Sequence, residues 1–127
     1  MVNPYLDYLP FPLDGNPFDW VGQKVSFKGF LAFEIYQHMV RPKEEWAEMI
    51  YLQPDKEYKH LSQLIGYKIG NDFSTEAPFE NFHLRFYGSF GVLEGSSKRP
   101  GKSDVVYRES YFDLVNIEGL WNDPGIK

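Results

Sequence analysis

Two stretches of the chain alternate apolar and polar side chains with a period of two. From Gln23 to Tyr36, Val25, Phe27, Leu31 and Phe33 fall on one face, and Lys24, Ser26, Lys28 and Phe30 on the other. From Phe82 to Glu94, Leu84, Phe86, Phe90 and Val92 share a face, with His83, Arg85, Tyr87 and Ser89 opposite. Successive side chains of a strand point to opposite faces, so this alternation predicts two half-buried strands. Each is interrupted by a glycine, Gly29 or Gly88, which predicts a bulge or sharp bend. The segments also echo each other: Lys24–Phe33 and His83–Val92 both read apolar, any, Phe, any, Gly, then apolar positions. Two copies do not make a repeat protein. They predict two long strands, each bent at its glycine, the device by which a small sheet curls shut.

The remaining segments are shorter. Trp46–Gln53 fits both a helical and a strand spacing; we read it as a strand paired back on the first, closed by Pro54 and Asp55. Residues 56–65 carry Tyr58, Leu61, Leu64 and Ile65, a helix-like spacing ending at Gly66, and predict a short helix. Gly66–Phe73 predicts a further short strand and Ser74–Asn81 a loop. Gly95–Ser103 reads as a turn region, Val105–Tyr111 alternates again, and Phe112–Trp121 closes the fold. Before all of these, Pro4, Pro10, Pro12 and Pro17 stand among aromatic residues and leucines. Proline at that density forbids a long helix or a central strand. Residues 1–20 are expected to be an extended arm, too apolar at Tyr5, Leu6, Tyr8, Leu9, Phe11 and Leu13 to hang in water.

The pattern resembles an OB-fold, the small five-stranded Greek-key barrel. The residues that carry the resemblance are Gln23–Gly29 as first strand, Phe82–Gly88 as fourth, and a last strand ending near Ile117–Trp121. The expected architecture is one mainly β domain over residues 1–127: an arm at 1–20, a five- or six-stranded OB-like Greek-key barrel with one short helix at 21–121, and a tail at 122–127. In an OB-fold a helix more usually follows the third strand, so the helix expected at 56–65 comes early. The resemblance implies a binding fold for single-stranded nucleic acid, oligosaccharide or protein, and does not choose among them.

Composition and charge adjust this picture. Aromatic residues make up 18% of the 127 residues, which suits packed strands and also supplies stacking platforms. Cysteine is absent, which removes disulfides and thiolate chemistry. No basic, apolar-cored leader opens the sequence and no stretch approaches the ~18 apolar residues of a membrane helix, so a cytoplasmic location is expected. The net charge of −5 argues against a generic nucleic-acid binder. The charge is uneven, however: Lys98, Arg99 and Lys102 cluster without an acid in residues 95–103.

Candidate chemistry is sparse. Lys98–Ser103 superficially resembles a phosphate-binding loop, yet Ser96 stands where the first glycine belongs and a strand-like segment follows instead of a helix. His38, His60 and His83 are far apart and none has a second ligand at helical spacing. Glu44, Glu45 and Glu48 cluster, as do Asp72, Glu76 and Glu80, but in polar stretches that do not set two carboxylates in different environments. The reading is a non-catalytic module without cofactor or metal. Its expected partner is another protein, as for acidic inhibitor or immunity-type proteins that cover a basic site. The alternative is a single-stranded nucleic-acid binder using Lys24, Lys28, Arg85 and Tyr87 with Lys98, Arg99 and Lys102, cations for phosphates and rings for bases. A third reading is a small-ligand pocket or an enzyme without a recognisable motif.

Overall fold

The computed structural model of the chain describes residues 5–32, 37–69, 81–97, 100–101 and 105–120. Among them are seven strands: β1 (Leu9–Pro10), β2 (Val25–Leu31), β3 (Gln37–Val40), β4 (Trp46–Pro54), β5 (Leu64–Lys68), β6 (Leu84–Ser97) and β7 (Val105–Gly119). The one helical element described is a 3₁₀ turn at Pro17–Trp20, where Asn16 Oδ1 accepts the amide of Phe18 at 3.0 Å and proline takes the first position. The protein is therefore mainly β, with more strands than the five or six expected.

All seven strands belong to one sheet, and five of them close a ring. β2 runs antiparallel to β6, β6 to β7, β5 to β4 and β4 back to β2, while β5 and β7 meet in parallel. β1 and β3 extend this ring, β1 in parallel on β2 and β3 antiparallel on β4. β2 and β3 follow one another along the same edge of β4, since β5 occupies the other.

The alternating stretches are the two strands the sequence predicts, and they pair with each other. The ladder runs from Val25 opposite Gly88 to Gly29 opposite Leu84, with Phe27 facing Phe86 at its centre. The echo in the sequence is thus a local two-fold, the two glycines marking the ends of the ladder. Both sit where backbones come close: a Cβ on Gly29 would strike the carbonyl oxygen of Gln53, and one on Gly88 that of Asp113. At Gly88 the β6–β7 register also shifts, Tyr87 facing Asn116 and Gly88 facing Leu114. The skipped residue lets both Leu114 and Ile117 point inward despite their odd spacing. Inside the ring Val25, Phe27, Leu31, Ile50, Leu52, Leu64, Leu84, Phe86, Phe90 and Phe112 form the core with them.

Trp46–Pro54 is a strand paired on the first, as read from its alternation. The helix expected at 56–65 is not formed. Tyr58 turns inward, buried, and its hydroxyl accepts the Lys28 amide at 2.9 Å; Leu64 already begins β5. The apolar spacing records one inserted ring and a strand start. The strand expected from Gly66 begins instead at Leu64 and ends at Lys68, and residues 70–80 lie outside the described residues. β6 continues through Gly95, which the sequence assigns to a turn. Tyr111 lies across Gly91 and Tyr107 across Gly95, so closely that a Cβ at either glycine would collide with the ring. The tyrosines fill the space the glycines leave and keep the hairpin regular.

The arm packs on its own domain. The amides of Leu9 and Phe11 donate to the carbonyls of Lys24 and Ser26, at 3.0 and 2.8 Å. Phe11 is 3% exposed and caps the core against Phe90, Trp20 and Tyr58.

Candidate functional site

Four of the seven residues proposed from the sequence are described, and the sheet brings them together. Lys28 and Arg85 are direct cross-strand partners, as are Ser26 and Tyr87, on the outer face of β2–β6, and Lys24 lies just before β2. Each has a partner within the chain. Lys24 Nζ meets Asp7 at 3.0 Å and stands 5.6 Å over the Tyr8 ring. That contact holds the Asp7 carboxyl below its ordinary range and raises the Lys24 ammonium. Arg85 reaches Glu118 at 3.4 Å, and the Tyr87 hydroxyl donates to the same carboxylate at 3.2 Å. Tyr87 is buried because the arm covers it: Tyr5 stacks on its ring at 4.5 Å and 24°, and Tyr8 meets it edge-on at 5.7 Å. Burial, then Glu118, pushes the Tyr87 hydroxyl above its usual value. Lys98, Arg99 and Lys102 lie outside the described residues.

Three further features escape a reading by spacing alone. The first is the tip of the β3–β4 hairpin. Arg41–Glu44 forms a turn in which the Glu44 amide donates to the Arg41 carbonyl at 2.8 Å and Glu44 takes a φ of 61°. Pro42 holds the second turn position, which suits its fixed φ. Beyond the turn Trp46 stands opposite Val40, the two being 74% and 50% exposed. Met39, on the neighbouring position, is also exposed. Glu44 and Glu45 are exposed beside them, and Glu48 is half-buried one pair further on. Of the nearby cations, Arg41 turns inward and Lys43 leans to 3.6 Å from Asp113. Glu45 is in turn bonded to Arg41, and Glu48 stands opposite Lys68 in the β4–β5 ladder, so the charges around this apolar tip are largely matched within the chain.

The second feature fixes that hairpin to the ring. Arg41 grips Asp113 with two donors, Nε at 3.2 Å and Nη2, while its Nη1 donates to Glu45 at 2.6 Å. Both members of the Arg41–Asp113 pair are buried. Burial works to lower the Arg41 guanidinium, but Asp113 and Glu45 outweigh it and leave it raised. A bidentate grip of this kind sets orientation as well as position. Around it Ala47, Met49, Tyr67 and Tyr111 form a second apolar cluster on the outer face. Next to the cluster lies a groove of about 340 Å³, walled by Phe18, Tyr51, Ile65, Tyr67, Leu93 and Tyr111, with His60 and Glu109 among its polar lining.

The third is a buried histidine. His83 Nε2 lies 2.7 Å from Asp55 Oδ2, and Phe30 stacks on the imidazole at 5.2 Å. Both side chains are buried, so the pair ties the end of β4 to the start of β6 away from solvent. His38 and His60 are exposed. Among the described residues no three histidine, aspartate or glutamate side chains assemble as metal ligands, and no helix is long and apolar enough to cross a membrane. Of the acidic clusters, 72–80 lies outside the described residues.

Compared with family models, with curated proteins and with solved structures, the chain finds no significant match.

Proposed function

We propose that the protein is a non-catalytic binding module whose partner is another protein, held through the tip of the β3–β4 hairpin. The observation that carries this is Trp46. A tryptophan 74% exposed beside its exposed cross-strand partner Val40 leaves an apolar surface in water, while Met39, paired with Ala47, lies on the opposite face of the hairpin. Aromatic anchors of this type dominate protein interfaces when they are desolvated by a partner. The net charge of −5 favours a basic surface on that partner. This is the chemistry of an inhibitor or immunity-type protein that covers a basic site. The rigid grip of Arg41 on Asp113 supports it, because a pre-positioned anchor loses less freedom on binding.

The ring is read as the frame of an OB-type Greek-key barrel. Numbered in chain order within the ring, its strands neighbour one another as 1-2-3-5-4 and back to 1, with a single parallel seam between the third and fifth. That order supports the barrel reading and leaves the partner open.

The test is paired capture from the native source. Tagged full-length protein and its Trp46→Ser variant are compared for the proteins they retain. A basic protein retained by the first and lost by the second, with both proteins folded, is the expected result. The same set on both, or nothing on either in repeated trials, refutes the reading. A second reading, a single-stranded nucleic-acid face on β2–β6, is favoured by one observation: Lys28 and Arg85 are cross-strand neighbours beside the ring of Tyr87.

A further inference from the structure

We propose that the tip of the N-terminal arm is an internal stand-in for single-stranded nucleic acid: Tyr5 lies where a base would stack on Tyr87, and Asp7 lies where a phosphate would pair with Lys24. The proposal rests on the second reading above and adds that this face is covered in the free protein.

The arm is fastened unevenly. Phe11 is sunk in the core, and Leu9 and Phe11 are hydrogen-bonded to β2. The residues before them meet the face by other means: the Tyr5 and Tyr8 rings on Tyr87, and the Asp7 carboxylate on Lys24. Both members of that ion pair are 60% exposed, a setting in which ion pairs hold weakly. Leu6, in the middle of the tip, is 76% exposed. The Tyr8 amide donates to the Tyr5 carbonyl at 3.1 Å, so the tip is a small turn that can lift as one piece. Lifting it leaves Phe11 in place and the ring intact, a local opening rather than an unfolding.

What the lifted tip uncovers has the character of a single-strand site. Lys24 and Arg85 stand beside the ring of Tyr87, with Glu118 bonded to Arg85 and to the Tyr87 hydroxyl. Stacking on an aromatic ring and pairing of phosphates with lysine and arginine are how sequence-tolerant single-strand binders work. With the tip down, Asp7 is paired with Lys24 and the ring is occupied by Tyr5. The protein as a whole is acidic, so a strand would be drawn to this face only with the tip up. A cover of this kind weakens apparent affinity by the fraction of time the face is open.

The experiment is a fluorescence anisotropy titration of full-length protein with fluorescein-labelled oligo-dT, at low and at high salt. It compares the wild type with a variant carrying Tyr5→Ser, Asp7→Ser and Tyr8→Ser together, in which Phe11 still anchors the arm. The variant is expected to bind about tenfold more tightly than wild type, with affinity that falls as salt rises. Adding Tyr87→Leu to that variant is expected to undo the gain. If the added change prevents folding, Lys24→Gln in the same background serves in its place and is also expected to weaken binding. Equal binding by wild type and the arm variant overturns the cover while leaving the face. No binding by either at low salt overturns both the cover and the nucleic-acid reading. Tighter binding by the arm variant that ignores both Tyr87→Leu and Lys24→Gln overturns the assignment of the site.

Discussion

At the scale of single residues, Gly88 and the tyrosines show what local sequence can and cannot announce. Gly88 interrupts an alternating strand, so its role at a close approach is legible, and the structure supplies the reason: the Asp113 carbonyl occupies the space a side chain would need. Gly88→Ala is expected to cost about 3 kcal/mol in urea unfolding, since neither backbone can yield. Gly22 has a φ of 80° but open space around it. Gly22→Ala is expected to cost only about 1 kcal/mol, the ordinary penalty of a left-handed alanine. The grip of Arg41 on Asp113 could not be read in advance, because the two lie 72 residues apart and only the β5–β7 seam brings them together. The same holds for Asp55 and His83. The tyrosines make a prediction of their own. Burial raises the hydroxyls of Tyr58, Tyr67, Tyr87 and Tyr111 above the ordinary value of 10.0. A raised tyrosine keeps its proton in the folded state after the unfolded chain has lost it. The tyrosine contribution to stability is therefore expected to be constant below about pH 10 and to be lost as pH rises beyond it, as urea midpoints across an alkaline series would show.

At the scale of elements, the strands were legible wherever one face was buried and the other wet. β2 and β6 follow from period two alone, and β4 from the same pattern once its helical alternative is set aside. The segment 56–65 misled because Tyr58, Leu61, Leu64 and Ile65 serve different purposes that happen to fall at helical spacing. The Gly/Ser-rich end of β6 misled because what holds it, Tyr107 and Tyr111, lies on the opposite strand. The arm was legible as an arm from its prolines, and its apolar residues gave the reason it packs. They did not say which of them anchors it. The structure singles out Phe11, and Phe11→Ala is expected to lower stability by about 3–4 kcal/mol, as for other buried phenylalanines. Leu6→Ser in the exposed tip is expected to change it by less than about 0.5 kcal/mol. Thermal or urea unfolding of the two variants side by side checks both. The proposed contact element, the β3–β4 hairpin, was partly hidden. Trp46 was visible in the sequence, but its exposure depends on the turn at Arg41–Glu44 carrying it beyond the ring.

At the scale of the whole molecule, five strands close on one another, and two lighter pieces stand on the ring: the arm tip over β2–β6 and the β3–β4 hairpin. The pairing of β4 back on β2 was foreseeable, whereas the parallel β5–β7 seam that completes the ring was not, since it joins distant segments that no local pattern links. The two pieces are held differently: the hairpin is fixed to the ring by the buried Arg41–Asp113 grip, whereas the arm tip rests on ring stacking and an exposed ion pair. Amide hydrogen exchange followed by mass spectrometry tests this arrangement most directly in the free protein. Peptides from β2, β4, β5, β6 and the ring portion of β7 are expected to exchange slowly and together, while residues 5–8 exchange orders of magnitude faster. Fast exchange of residues 64–68, at the rate of the arm tip, would mean that the seam is open and the ring is not the frame. Slow exchange of 5–8 at the rate of the core would mean that the arm tip does not lift.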